Sequence, residues 1–425
     1  NPRFSGRDRL VSDSRAKVLL GTVFLSLAMS GAAYSGGFAR GAADTDLLYE
    51  DGNFNMRSSV TFVTPKREIS RVPGAASPAL VGTTYTEEYV IPSVAIKLNV
   101  TDNVRCAATL VDNNGGAVSY AVPKPSGKLT EDFTTNEKAV TCGVKFQAGP
   151  GNFWLLGGGF VEEFDYHRLN ATGVLPLSMI GGTDVMMPNA DLALSGRDTG
   201  YRLGIAYEIP DIALRAQLMY RSGTHYGATG SLTVPTAALL AAQAQAATDP
   251  LVAAGLLQNA ADALAAGLRT AVDSTGTGNL PQNVELKLQS GIAPGWLAFG
   301  SVKWTDWSVQ KQLLVDNAIR STSDDYFWKD GWTVTGGVGH AFNDRVSGRV
   351  SLTWDSGVAT GYDFSSDTYT LALGGSVKDG IGGELRGGVG VSYLSAAEIT
   401  KGADAGFAVK AGYALAGSVG YSVKW

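Results

Sequence analysis

From Phe407 to Trp425 the side chains alternate. Odd positions such as Val409, Tyr413, Leu415, Val419, Tyr421 and Val423 are apolar or aromatic, whereas even positions such as Lys410, Ala414, Ser418, Ser422 and Lys424 are small or charged. A period of two puts successive side chains on opposite faces of a strand. The run predicts a strand of about 18 residues, against the five or six usual in soluble sheets. The pattern recurs upstream. Val346, Gly348, Val350, Leu352 and Trp354 oppose Arg345, Ser347, Arg349, Ser351 and Thr353; Ile212, Leu214, Leu218 and Tyr220 oppose Arg215, Gln217, Met219 and Arg221; Tyr201, Leu203, Ile205 and Tyr207 oppose Arg202 and Glu208. A soluble sandwich would share the period, but strand length, aromatics near both strand ends and the terminal Trp425 point to a transmembrane barrel with an apolar outer band and a polar lumen.

Turn residues set the strand count. Tight connections are expected at Thr101-Asp102-Asn103, Gly149-Pro150-Gly151-Asn152, Pro210-Asp211, Ala293-Pro294-Gly295, Asn343-Asp344 and Lys378-Asp379-Gly380. Long connections are expected at roughly 73–87, 118–132, 168–191, 227–281, 313–325, 356–366 and 395–404. Six short and seven long connections join fourteen strands. The expected fold class is all-β, a 14-stranded antiparallel barrel with both termini on the short-turn, periplasmic side. One stretch breaks the rhythm. Residues 236–273, TAALLAAQAQAATDPLVAAGLLQNAADALAAGLRTAVD, read as an external helical insert, too often interrupted by polar residues to cross a membrane.

Composition agrees and excludes. The chain has 425 residues with 54 glycines, 17% charged residues and net charge −5, so it offers no basic footprint for nucleic acid. The run Val18 to Met29, after Arg15 and Lys17 and before SGAA, is too short to span a bilayer and reads as a secretory signal within residues 1–32. A buried N-terminal helix is the other reading. Residues 33–55 are then a short plug segment, and 56–425 the barrel with an external helical loop at 227–281.

In layout the chain resembles the FadL family of outer-membrane long-chain fatty-acid transporters. Local matches are YRSG at Tyr220 to Gly223, LPQNVELK at Leu280 to Lys287, TDWS at Thr305 to Ser308 and FWKDGW at Phe327 to Trp332. The resemblance implies fourteen strands, an N-terminal plug, and external loops that form a first hydrophobic landing site. It also implies sideways release into the membrane through a break in the third strand. The matching strand here, RCAATLVDNNGGAVSY, holds Asn113, Asn114, Gly115 and Gly116, where glycine accepts a bulge or kink; an ordinary bulge or early strand end is the other reading. The family's Asn-Pro-Ala plug element is absent, and EDGNFNMRSSV stands at Glu50 to Val60 instead. The closing Tyr-x-Val-x-Trp is similar to the signal read by the barrel assembly machinery, with Trp425 as its last residue.

Candidate chemistry is that of binding. An external groove is expected from Leu175, Leu177, Met179, Met186 and Met187 of the third long connection with Leu256, Leu257 and Leu264 of the insert, since methionine suits loose apolar sites. These two loops packing only on each other is the alternative. Inward Arg202, Arg215, Arg221, Lys303 and Lys329 are candidates for a carboxylate head, with Leu297, Phe299 and Met219 along the tail; a structural charge network in the lumen is the alternative. Cys106 and Cys142 face outward on neighbouring strands and are a possible disulfide, permitted in an exported protein. Two cysteines and three scattered histidines give no metal-ligand spacing, and no cofactor is implied. His340 reads as an interfacial anchor rather than part of a hydrolase triad, so no enzyme is expected. The sequence thus predicts a monomeric, passive outer-membrane importer of hydrophobic molecules, foremost fatty acids, in contact with outer-membrane lipid and lipopolysaccharide. A general or structural porin is the other class, and a lipid hydrolase a third.

Overall fold

A computed structural model describes residues 37–74 and 78–425, so the signal segment and Ala33 to Gly36 lie outside the described residues. Fourteen antiparallel strands close into one barrel. They are β1 (Phe54–Lys66), β2 (Tyr89–Asn99), β3 (Val104–Ser119), β4 (Lys128–Ala148), β5 (Gly151–Asn170), β6 (Ala190–Ile209), β7 (Leu214–Arg221, continued by Thr224–Pro235), β8 (Arg269–Leu280, continued by Asn283–Ala293), β9 (Trp296–Thr305, continued by Gln312–Asn317), β10 (Ser321–Asp325, continued by Gly331–Ala341), β11 (Val346–Asp355), β12 (Thr368–Lys378), β13 (Gly383–Leu394) and β14 (Gly412–Lys424). Closure is by β1 on β14, from Asn55 opposite Lys424 to Lys66 opposite Tyr413. All six short connections fall where the sequence predicts them. At two of them Gly149 and Gly295 take φ of 59° and 76°, a region that L side chains disfavour.

Alternation holds around the wall. On β14 Leu415 and Val419 are exposed to the surroundings of the barrel, while Ala414 and Ser422 are buried inside. The last strand is shorter than the alternation suggests. Phe407 and Val409 leave the barrel, and Ala408–Val409 pairs with Ile69–Arg71 and Ala397–Glu398 over a small external core of Ile69, Leu80, Tyr85, Tyr120, Phe364 and Ile399.

The wall is uneven. β7 to β10 run on past the expected strand ends, so much of 227–281 and 313–325 is strand rather than loop. Stretches such as GATGSLTV and DSTGTGNL carry no apolar outer face, and above the bilayer none is needed. These four strands break at the four motifs that carry the resemblance, at Ser222-Gly223, Pro281-Gln282, 306–311 and 326–330. Pro281 has no N–H to give the ladder. A hydrogen-bond chain crosses the breaks: Tyr220 Oη donates to Gln282 Oε1 at 2.9 Å, and Gln282 Nε2 donates to Asp306 Oδ2 at 3.0 Å.

The insert forms two helices, α1 (Thr236–Ala246) and α2 (Pro250–Ala265). Asp249 caps α2 by accepting the Leu251 N–H at 2.8 Å, and Pro250 takes the first helical turn. The helices pack with the third long connection in a satellite core of Leu175, Met187, Ala237, Ala241, Leu257 and Ala260, lined by Leu177, Leu256 and Leu264. Cys106 lies opposite Cys142 on β3 and β4, and the two are joined by a disulfide.

Candidate functional site

Three features meet inside the barrel, and the N-terminal segment touches each. The lowest is an ionic lock on the plug. Arg57 of β1 pairs with Asp44 and Glu50, Lys97 Nζ donates to the carbonyls of Glu50 and Gly52 at 2.7 Å, and Arg105 donates to Leu48 O at 2.9 Å. Asp46 holds Arg215 and Lys287, each at 3.4 Å. Leu48 and Tyr49 pack among Trp154, Leu156, Ala206 and Met219. Arg215, a head-group candidate by sequence, is thus tied to the plug and stacks over Tyr49 at 4.4 Å.

The second feature is a window in the wall. β2 and β3 pair only as far as Ser93 opposite Val111. Above that point β3 stays on β4 but leaves β2, until the bridge of Thr86 with Val118 closes the top. The opening covers the six residues of β3 between Val111 and Val118, and so stands roughly 20 Å along the strand. Asn113 is an extra residue in the β3–β4 ladder, a bulge, so Asn113 and Asn114 both point inward where a regular strand would alternate. The plug's first described residues cross the window with a single antiparallel bridge, Ala39 opposite Asn114. Arg40 N–H donates to Asn113 O at 2.9 Å, Gly41 N–H to Asp112 O at 3.0 Å, and Gly115 N–H to Phe38 O at 2.8 Å. Arg40 reaches across to stack on Tyr89 of β2 at 4.2 Å. Gly115 and Gly116 do not use positive φ. Both sites are tight: a Cβ on Gly115 would stand 2.4 Å from the movable Arg40 guanidinium, and one on Gly116 would stand 3.2 Å from the Phe133 ring and 3.3 Å from the Phe38 ring.

The third feature is an aromatic cage above the window. The Phe38 ring lies 4.4 Å from Phe133, 4.6 Å from Trp328, 5.4 Å from Tyr326 and 6.1 Å from Trp307, centroid to centroid. Phe164, Tyr166 and Tyr226 continue the lining, with Phe164 stacked on Tyr226 at 4.9 Å. Gly37 makes the approach possible: at φ 73° its missing Cβ would meet Trp307 and Trp328 below 3.0 Å. A space of about 30 Å³ remains beside Phe38, room for a water or two and not for another ring.

A belt of four paired charges lies under the cage, and three of them, Glu137, Arg202 and Arg221, line the wall of a lower chamber of about 190 Å³. Glu137 takes Arg202 on one oxygen and Arg221 Nε at 2.8 Å on the other; Arg221 Nη2 also meets Glu162 at 2.9 Å. Two carboxylates face two guanidiniums, so the belt balances. Arg221 stacks on Phe160 at 4.2 Å and has its fork filled by wall residues. An expected result follows. Arg221→Met leaves two buried carboxylates short of a partner and should destabilise the barrel by about 3 kcal/mol. A long-chain acid and its neutral analogue should lose affinity equally in titration; loss for the acid alone would return Arg221 to head-group recognition.

The other sequence candidates divide. Lys303 lines the lower chamber with Met219 and Phe299 and forms no ion pair among the described residues; Leu297 is buried on the same inner face. Lys329 is exposed in the break of β10. Leu175, Met187 and Leu257 are spent in the satellite core, whereas Met179 and Met186 stand about 70% exposed above it. The loops therefore pack on each other and leave a partial apolar surface outward. Sequence reasoning missed the cage rings and Phe38 altogether.

One cage contact titrates near neutrality. Asp363, in the external connection 356–367, accepts from Trp328 Nε1 and from Ser365 N–H at 2.8 Å. Burial pushes its carboxyl from the ordinary 3.8 to about 6, against the opposing effect of these hydrogen bonds. Folded protein therefore keeps a proton that the unfolded chain releases. The stability this group contributes is full below about pH 4 and is lost as pH rises through about 6. Thermal melting of the cage, followed by tryptophan fluorescence, should fall in midpoint from pH 4.5 to pH 7. Asp363→Asn should flatten that slope, and an unchanged slope in the variant would assign it to another group.

A sequence model of the outer membrane protein transport protein family (OMPP1/FadL/TodX) matches residues 79–363. Among solved structures, a Pseudomonas aeruginosa FadL homologue superposes with TM-score 0.67 at 13% identity, covering 92% of this chain and 96% of that one. The Pseudomonas putida toluene transporter TodX gives 0.59 at 12%, covering 93% and 97%. The CymD monoaromatic hydrocarbon channel gives 0.56 at 11%, covering 89% and 90%. No curated protein matches the chain.

Proposed function

Because the chain belongs to the outer membrane protein transport protein family (OMPP1/FadL/TodX), we propose that its cage, window and plug form one import route for hydrophobic molecules. The barrel is an integral outer-membrane protein, and the family's business is transport of hydrophobic compounds rather than catalysis. Ligand arrives over the exposed Met179 and Met186, enters the cage, and leaves sideways through the window into the membrane. One observation carries this reading: Phe38, a benzyl group on the segment that fills the window, sits in the cage as a ligand would. A ring that takes its place frees residues 38–41 from β3. The charged belt under the cage opposes descent of an apolar molecule, since entering it would strip paired charges of their partners. The ionic lock holds the rest of the plug in the lumen, which supports a side exit and argues against a porin.

The aromatic lining favours a compound bearing a benzene-sized ring, and rings in contact gain about 0.5–1.5 kcal/mol beyond area. The fatty-acid reading rests on Lys303, the head-group candidate that lines the chamber and forms no ion pair among the described residues. Quenching of Trp307 and Trp328 by toluene, by a long-chain acid and by a linear alkane ranks these ligands. Tighter binding of toluene supports the aromatic reading, and tighter binding of the acid, lost in Lys303→Met, supports the other. Large steady conductance in a planar bilayer with no ligand binding would make the barrel a porin.

A further inference from the structure

The Glu162 carboxylate, on β5, is fully buried and gathers donors from two other strands, β3 and β7. Asn113 Nδ2 donates to it, as do Asn114 Nδ2 at 3.3 Å, Thr224 Oγ1 at 2.6 Å and Arg221 Nη2 at 2.9 Å, while the Thr135 hydroxyl gives its one proton to Asn113 Oδ1 at 2.8 Å. A buried carboxylate is tolerable only when its acceptor sites are filled. Two of the four donors are the paired inward amides of the bulge, and a regular β3 would turn one of them outward. Asn113 is also the residue whose carbonyl receives the Arg40 N–H of the plug.

We propose that Glu162 is the positioning residue of the window: its carboxylate draws Asn113 and Asn114 inward together, keeping β3 bulged and off β2. This rests on the side-exit reading only for its functional consequence; the shape of the wall is separable. With the carboxylate gone, the Thr135 hydroxyl is left as the wall's hold on the two amides, accepting from Asn114 at 3.2 Å and donating to Asn113 Oδ1 at 2.8 Å. One hydroxyl does not replace a buried charge, so the extra residue is freer to move, and the upper half of β3 can take up the ladder that β2 offers at residues 89–92, where Pro92 supplies its carbonyl alone.

Nitroxide labels at Val90→Cys and Ala117→Cys report the width of the window by pulsed electron paramagnetic resonance, since Cys106 and Cys142 are joined and do not label. In Glu162→Gln an amide faces the donors, and the label distance should shorten by roughly one strand spacing, about 4.8 Å. Asn113→Asp sets two carboxylates against each other and should do the same. The exchanged pair, Asn113→Asp with Glu162→Gln, restores one carboxylate to one amide and should return the distance and the ratio of uptake rate to equilibrium binding. A merely structural role in the barrel would not be rescued by that exchange. An unchanged distance in Glu162→Gln, or no return in the exchanged pair, overturns the proposal. A shortened and rescued distance with uptake steady throughout upholds it and removes the side exit instead.

Discussion

Phe38→Ala is expected to bind toluene at least tenfold more tightly than the parent barrel. The ring that fills the cage belongs to the chain itself, so ligand must now displace it, and a tenfold gain corresponds to about 1.4 kcal/mol. Burial of a phenylalanine in a packed site is worth about 3–5 kcal/mol by truncation, and Phe38 is only half-buried, so a part of that range is the reasonable yield. The vacated space is apolar and lined by Phe133, Trp328, Tyr326 and Trp307, the kind of cavity that stays dry and accepts benzene-sized guests. A second readout follows from the backbone. The Gly115 amide, which donates to Phe38 O, should exchange faster in the variant, because the segment loses its anchor. Titration by tryptophan quenching and amide exchange at Gly115 test the two halves. Equal or weaker toluene affinity would mean that Phe38 helps build the site rather than occupying it.

Deleting Asn113 should have the opposite signature, with uptake down more than tenfold while cage binding persists. Its removal makes Asp112 opposite Asn136 and Asn114 opposite Thr135 consecutive pairs, so the bulge disappears without shifting the rest of the β3–β4 register. A straight β3 can close on β2 and leave no room for residues 38–41. Changing Gly115 and Gly116 to valine acts differently. The Arg40 guanidinium can swing away from a new Cβ at Gly115, and one at Gly116 meets the Phe133 and Phe38 rings at 3.2 and 3.3 Å, so the pressure falls on the plug segment and leaves the bulge in place. Uptake by cells, set against equilibrium binding by purified barrel, separates the two. Wild-type uptake after deletion of Asn113 would send the ligand out by another path.

Much of the fold is written in local pattern. Alternation and six turn sites give fourteen strands and their order, because each depends on a few neighbouring residues. The family-like motifs YRSG, LPQN, TDWS and FWKDGW mark breaks in four adjacent strands, which only the assembled wall brings to one region. The site is less legible. The cage rings come from β4, β5, β7, the breaks in β9 and β10, and the plug, so no stretch of sequence contains them. A signal did exist: on β5 the inward positions Phe160, Phe164 and Tyr166 are aromatic where a lumen should be polar. Arg202 and Arg221 read as head-group binders because Glu137 and Glu162, their partners, lie on strands whose register cannot be read from the chain. The external extension reads as loop from the sequence because its outer face is not apolar.

The Cys106–Cys142 bond also bears on how the barrel is built. It ties β3 to β4 across a separation of 36 residues, a loop whose closure removes about 4 kcal/mol of chain entropy from the unfolded state. Both cysteines belong to one hairpin, so the bond needs no other strand to be in place. An oxidising compartment can thus hand the membrane a hairpin whose register is already fixed before the remaining strands arrive. Choice of register, the step at which a bulged strand is most prone to slip, is then taken in solution rather than in lipid.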